Sequence, residues 1–406
     1  MQDVPNPRRR TTLKAMAASA AALAMAPRPS LAGAVTAADI DASRLLFLRG
    51  EEQVFTFRNM DKVFATRPIR AGTSVYGMPR ASSELDVSYR YLDDTWNTSR
   101  FMESNRVAGL IVVQKGRILL ERYGLGNDET SKWTSFSVAK SITSTLVGAA
   151  LHDGHIKSVN EEISRYLPSL KSSPLAKVTI RDLLRMSSGM KWNENYLDPT
   201  SDINKHIATF AARNRPGELL RHMASLPQVD PPGSVFQYKT GDSHLIAEVL
   251  AAAIGGPLSP YFSDRIWAPF GMEKDGYWLL TATDGLEWGG ANISATLRDY
   301  ARFGQFFLGG GVAKGRQVLP DNWLSEATNR SAPRVTDGRN PFYGYQWWGG
   351  PGDKAFHARG VFGQQIFIDP EKSLVVAIHS AWNAPSDPDR KAAAIAYLEA
   401  VQDMLA

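Results

Sequence analysis

Hydrophobic positions fall into strand-like blocks near both ends of the chain, with helical periodicities between them. Residues 107–113 (Val-Ala-Gly-Leu-Ile-Val-Val) and 117–123 (Arg-Ile-Leu-Leu-Glu-Arg-Tyr) are short runs of strand-forming residues, and Gln114-Lys115-Gly116 between them reads as a tight hairpin turn. Ser137 then opens a helix on which Ile142, Leu146, Val147, Ala150 and Leu151 recur at helical spacing, with Gly154 as its stop. Residues 155–290 carry few strand signals. Helical patterns at 180–186 and 243–253 are separated there by Pro- and Gly-rich loops such as Pro231-Pro232-Gly233. Residues 296–308 form an amphipathic pattern with Leu297, Tyr300, Ala301, Phe307 and Leu308 on one face. Gly304 falls on that face too, and either weakens the helix or marks a close contact. Strand patterns return at 344–348, 365–368 and 374–378, with Asp369-Pro370-Glu371-Lys372 as a turn, before a last helix at 392–404.

Strands at both ends with helices between predict an α/β (α+β) fold. One antiparallel sheet is assembled from both chain ends and flanked by helices, and a mostly helical subdomain is inserted into it. The boundaries read as 101–154 and 291–406 for the α/β domain and 155–290 for the helical subdomain. Residues 35–100 form an N-terminal extension without clear periodicity.

The first 34 residues read as an export signal. Arg9-Arg10-Thr11-Thr12-Leu13-Lys14 matches a twin-arginine pattern, a weakly apolar run extends from Ala15 to Ala26, and Ala32-Gly33-Ala34 is a small-residue cleavage site. This segment also explains the basic balance. The chain carries a formal charge of +5, of which residues 1–34 supply five cations against one acid, leaving +1 for the rest. No basic patch stands out, so nucleic acid is not an expected partner. Hydrophobic residues at 43% and charged residues at 21% suit a large globular core. The absence of cysteine excludes disulfides, thiolate catalysis and zinc–thiolate sites. The expectation is an exported protein, periplasmic or secreted, with no stable membrane insertion once the signal is removed.

Chemistry enters at Ser137-Val138-Ala139-Lys140. One helical turn separates the hydroxyl from the amine, so both fall on one side of the helix, and the helix N-terminus aims backbone N–H groups at the serine. A serine hydroxyl needs a neighbour to take its proton, and burial lowers a lysine's pKa toward that task. On spacing alone, a capping serine is the alternative reading of Ser137. Ser188-Gly189-Met190-Lys191 has the same spacing but lies in a Ser-Ser-Gly loop, where the two side chains need not share a face. Tyr238, taken alone, reads as a core aromatic. His152-Asp153-Gly154-His155 sits where a helix ends, which suits last-turn residues better than metal ligands. Asn97-Thr98-Ser99 is a glycosylation sequon by pattern only. Trp192, Tyr196, Trp347 and Trp348 fit either core or an apolar pocket.

Several segments together resemble the serine β-lactamase and penicillin-binding superfamily, in the class C-like branch that includes family VIII-type esterases and 6-aminohexanoate-dimer hydrolases. The resemblance runs from about residue 107 to the C-terminus. It rests on Phe136-Ser-Val-Ala-Lys-Ser141, Leu183-Leu-Arg-Met-Ser-Ser-Gly189, Pro232-Gly233 through Phe236-Gln237-Tyr238, Gly289-Gly290, Thr296-Leu-Arg-Asp299 and Gly344-Tyr-Gln-Trp-Trp348, in the order that branch shows. The resemblance implies Ser137 as acylated nucleophile, with Lys140 and Tyr238 sharing the proton transfers. Which of the two takes the serine proton stays open. A lysine cation beside Tyr238 is expected to lower the phenol's pKa.

Two departures bear on substrate. Where the superfamily carries Tyr-x-Asn, this chain has Tyr238-Lys239-Thr240. Where β-lactamases carry Lys-Thr-Gly, it has Ala358-Arg359-Gly360, preceded by His357. In that register the N–H groups of Ser137 and Val361 form the oxyanion site. Loss of the Lys-Thr-Gly lysine argues against an efficient β-lactamase. Arg359, Gly360, His357, Trp192 and Tyr196 are the candidate substrate contacts, Arg359 for a carboxylate and His357 for a hydrogen bond. The expectation is a serine hydrolase of small esters or linear amides acting through an acyl-enzyme, with no metal and no cofactor. A weak class C-type β-lactamase or D-amino-acid peptidase, and a catalytically silent binding domain on the same fold, are the competing readings.

Overall fold

The computed structural model describes residues 35–212 and 215–405. The export-signal segment, residues 1–34, lies outside the described residues. The main sheet has six antiparallel strands in the order Trp348–Gly349, Phe356–Gly360, Gln364–Asp369, Leu374–Ser380, Val107–Gln114 and Arg117–Tyr123. It joins the late strands to the early ones through the pairing of Leu374–Ser380 with Val107–Gln114.

The sequence runs forming this sheet are almost continuously apolar because both faces are covered. Ile111, Val113, Ile366, Ile368, Val375 and Ala377 point into one core. Leu110, Val112, Phe367, Leu374, Val376 and Ile378 point into the other. The second core is closed by Phe101 of the Thr98–Ser104 helix and by Ala394, Tyr397, Leu398 and Val401 of the Pro388–Met404 helix. The first is closed by the Val138–His152 and Leu297–Leu308 helices. Gly304 resolves its ambiguity here: a Cβ would lie 2.5 Å from Val375 and 3.1 Å from Ile366, so glycine lets that helix press onto the sheet.

A second, four-stranded sheet runs in the order Thr66–Ile69, Gly276–Leu279, Ile293–Thr296 and Lys132–Thr134. The segment 155–290, expected to be mostly helical, therefore also supplies a strand. The 35–100 segment supplies another, together with the short helices Ala42–Phe47 and Gly50–Arg58.

The expected strand at 344–348 is shortened to Trp348–Gly349. Gln346 stands at φ 62° and acts as a buried polar staple. Its carbonyl accepts from Ser141 Oγ at 2.6 Å, its Oε1 from Ser243 Oγ at 2.9 Å, and its Nε2 donates to Leu183 O at 3.2 Å. Those bonds tie three helices together and leave no extended backbone for a ladder. The hairpin at Lys115-Gly116 has both residues at positive φ, 48° and 73°, as a two-residue turn matched to strand twist requires. Among the described residues no single helix is long and apolar enough to cross a membrane.

Candidate active site

Ser137 is the N-cap residue immediately before the buried Val138–His152 helix, and its side chain makes no capping hydrogen bond. The hydroxyl is engaged with Lys140 instead: Nζ lies 2.9 Å from Ser137 Oγ, 3.0 Å from Thr240 Oγ1 and 2.6 Å from Gly290 O. Two of these contacts have a fixed direction. A carbonyl only accepts, and Thr240 Oγ1 passes its own proton to Glu194, so it too must accept from the lysine. A neutral amine has two N–H donors, enough for those two acceptors, and one lone pair left for the Ser137 hydroxyl. Lys140 is also 1% exposed, and burial lowers its pKa to about 8 against a weaker upward pull from Glu194.

Gly290 is required for this contact. A Cβ there would lie 2.5 Å from Thr240 Cγ2. Thr240, which stands where the superfamily pattern carries Asn, faces the lysine. Glu194 was not anticipated. It accepts from the backbone N–H of Thr240 at 2.9 Å, from Tyr196 OH at 3.1 Å and from the Trp192 indole N–H. No local motif marks its link to the lysine, because Thr240 lies 46 residues away; an acid between Trp192 and Tyr196 is the only hint.

Tyr238 reaches the same place, with Lys140 Nζ 5.1 Å from its ring centroid. Trp348 stacks on the ring at 5.7 Å and Tyr343 meets it edge-on at 6.4 Å. The expected lowering of its pKa does not occur. Desolvation pushes the phenol well above its ordinary value and Glu194 adds to the rise, against smaller downward pulls from Ser137 and Arg359. The physical reason is that the amine is already engaged with Ser137, Thr240 and Gly290, while the phenol sits among aromatic rings. Tyr238 is therefore a neutral phenol at physiological pH.

The backbone around Ser137 is held in an unusual shape. Phe136 has φ 43°, and Phe362, just after the Phe356–Gly360 strand, has φ 61°. Their rings meet at 5.2 Å, and Phe57 of the 35–100 segment packs on both at 4.8 and 5.2 Å. Gly360 permits the close approach: a Cβ would lie 2.4 Å from Ser135 O and 3.1 Å from Ser137 N. Ser137 and Val361 thus border one cleft.

That cleft, about 250 Å³, is lined by Ser137, Tyr196, Tyr238, Trp348, Arg359, Gly360 and Val361 among others. A smaller apolar recess beside it brings Leu45, Leu46, Ile203, Ile207 and Trp288 up to Ser137. Trp192 and His357 do not line the cleft. Trp192 is 4% exposed and packs edge-on against His206 at 4.9 Å. His357 shares a strand side with Arg359 but is buried against Phe367 at 6.3 Å, and burial holds it neutral. Ser188 is structural, its hydroxyl donating to Asp242 at 2.7 Å. Asp153 accepts from Tyr261 at 2.7 Å and pairs with Arg265. Among the described residues no group of three or more His, Asp or Glu side chains is arranged to hold a metal ion.

Fold and cleft together define a hydrolase of the β-lactamase type. Residues 97–400 match the Beta-lactamase family profile, and the chain belongs to that family. A 6-aminohexanoate-dimer hydrolase of Paenarthrobacter ureafaciens is 26% identical over 302 residues, covering 71% of this chain and 76% of that protein. A Bacillus anthracis protein provisionally named a 6-aminohexanoate-dimer hydrolase superposes with a TM-score of 0.78 at 24% identity, covering 90% of this chain and 97% of that one. A family VIII carboxylesterase superposes with a TM-score of 0.58 at 18% identity, covering 75% and 94%.

Proposed function

We propose that this hydrolase cleaves small esters or linear amides through an acyl-enzyme on Ser137, with Lys140 as the base. The observation that carries the reading is the hydrogen-bond arithmetic at Lys140. Only the Ser137 contact can be an acceptance by the amine, and burial brings the neutral amine within reach near pH 8.

Ser137 Oγ attacks the substrate carbonyl carbon while its proton moves to Lys140 Nζ. The carbonyl oxygen, now an anion, is met by the N–H groups of Ser137 and Val361. As the bond to the leaving group breaks, the Tyr238 phenol gives its proton to the departing oxygen or nitrogen and is reprotonated from the lysine. A phenol with a raised pKa suits this, since it holds its proton until a more basic alkoxide or nitrogen anion develops beside it. Water then enters by the reverse path and releases the acid. The relatives' names, a 6-aminohexanoate-dimer hydrolase and a carboxylesterase, support amide and ester substrates. The Arg9-Arg10 segment supports export, which fractionation of cells producing the full chain checks.

The test is a panel of p-nitrophenyl esters, 6-aminohexanoate dimer and nitrocefin, with peptide mapping after fluorophosphonate treatment. The expected result is ester or amide turnover well above nitrocefin turnover, an adduct on Ser137, and a folded, inactive Ser137→Ala variant. An adduct elsewhere, or nitrocefin turnover equal to that of esters, contradicts it.

A further inference from the structure

The mechanism above makes no use of Gln364, whose buried amide contacts both backbone segments that carry the candidate oxyanion donors. Gln364 is 1% exposed and opens the Gln364–Asp369 strand, directly after the turn Val361–Gly363. Its Nε2 donates to Ser380 O at 2.7 Å, to Phe362 O at 3.2 Å and to Val361 O at 3.3 Å. Its Oε1 accepts from the Trp133 indole N–H at 3.0 Å and from the Ser380 backbone N–H at 3.1 Å. These partners fix which way the amide faces, because a carbonyl only accepts and an indole or backbone N–H only donates. They also fill its capacity: one N–H serves Ser380 O, and Val361 O and Phe362 O share the other.

Two links tie this amide to the site. Gly360 is the ladder partner of Gln364, so the backbone on either side of Val361 is held by one residue, through pairing at Gly360 and through the side chain at Val361 O. Trp133 lies on the Lys132–Thr134 strand, four residues before Ser137. One amide therefore joins the segment leading into Ser137 to the turn that begins at Val361. That turn needs support, since Phe362 stands at φ 61°, a conformation that persists only where surrounding contacts over-determine it.

We propose that Gln364 is a positioning residue: it sets the spacing of the Ser137 and Val361 N–H groups, and through them the stabilisation of the oxyanion. It lines the cleft, but its amide is spent on protein groups and does not act on the substrate. The inference rests on the acyl-transfer reading and adds a residue to its machinery. Acylation and deacylation both pass through an oxyanion at this place, so a loosened pair of donors slows both and lowers kcat with little change in KM.

The test uses two variants of the full chain, with p-nitrophenyl butanoate as substrate and butylboronic acid as a reversible ligand of Ser137. Ser137 Oγ bonds to boron, its proton passes to Lys140, and the adduct is a tetrahedral anion that calls on the same donors. Gln364→Met keeps the side-chain length and removes the amide. It should lower kcat by about 100-fold, the scale of losing one oxyanion donor, and weaken butylboronic acid binding by at least about 10-fold, with KM moving less than about threefold. Trp133→Phe removes only the indole N–H, and should lower kcat and butylboronic acid affinity together by about 3- to 10-fold, the range of one hydrogen bond. Urea unfolding establishes that each variant is folded in the assay. Wild-type kcat in folded Gln364→Met, or a loss confined to KM with butylboronic acid affinity retained, overturns the inference and leaves the hydrolase reading standing. Should Gln364→Met not fold, Trp133→Phe decides, and wild-type kcat and butylboronic acid affinity in that variant overturn it. A wild type that neither turns over the ester nor binds butylboronic acid at Ser137 overturns the hydrolase reading and this inference with it.

Discussion

At the scale of single residues, the proposed mechanism requires that protonation of Lys140 decide whether Ser137 is reactive. Burial lowers the lysine to about 8, so the amine is mostly charged below that pH and mostly neutral above it. Because the base must be neutral, kcat/KM for a neutral ester is expected to rise with pH and level off above an apparent pKa near 8. Glu194 pulls that value upward, through space and through the Thr240 hydroxyl. Glu194→Gln therefore moves the rising limb to lower pH, and a limb that stays in place removes Glu194 from the account. The same linkage has a stability sign. A lysine whose folded pKa lies below 10.5 penalises the folded state while charged, so this group's contribution to stability grows as pH rises from about 8 to 10.5.

At the scale of elements, the site depends on two backbone segments pressed together. Phe57 wedges behind the left-handed residues Phe136 and Phe362, so the positive φ values beside both candidate oxyanion donors are secured by packing from the 35–100 segment. Phe57→Ala should cost about 3–5 kcal/mol of unfolding free energy, measured by urea denaturation, with kcat falling before the fold is lost. Gly360→Ala should leave a folded protein with ester turnover down by at least about 100-fold, the scale of losing one oxyanion donor, because its Cβ would strike Ser135 O. Full activity in Gly360→Ala would mean that the two segments need not close.

At the scale of the whole molecule, local chemistry was legible in the sequence and long-range placement was not. Ser137 and Lys140 could be paired because a helix fixes what lies one turn apart. Tyr238 could be joined to them only through the family resemblance, since 98 residues separate it from Lys140. Arg359 could be placed on the strand but not on a side of it. Glu194 had only its place between Trp192 and Tyr196 to mark it, because its link to the lysine passes through the Thr240 hydroxyl. Gln346 misled in the other direction: an aromatic-rich run looks extended, yet a buried amide satisfying three helices bends it. The 35–100 segment has short elements and no period, and only the fold shows Leu45 and Leu46 beside Ser137. Leu46→Ala should open that recess and shift the preferred p-nitrophenyl ester toward longer acyl chains; an unchanged chain-length profile would take the segment out of substrate selection. The central claim, that the amine rather than the phenol takes the serine proton, is tested most directly by the pH dependence of Ser137 acylation in Tyr238→Phe. Acylation slowed by about 10²–10⁴-fold but still rising through a pKa near 8 is the predicted result. A rate that no longer depends on pH in that range, with the wild type retaining its limb, would assign the proton to Tyr238 and contradict the account.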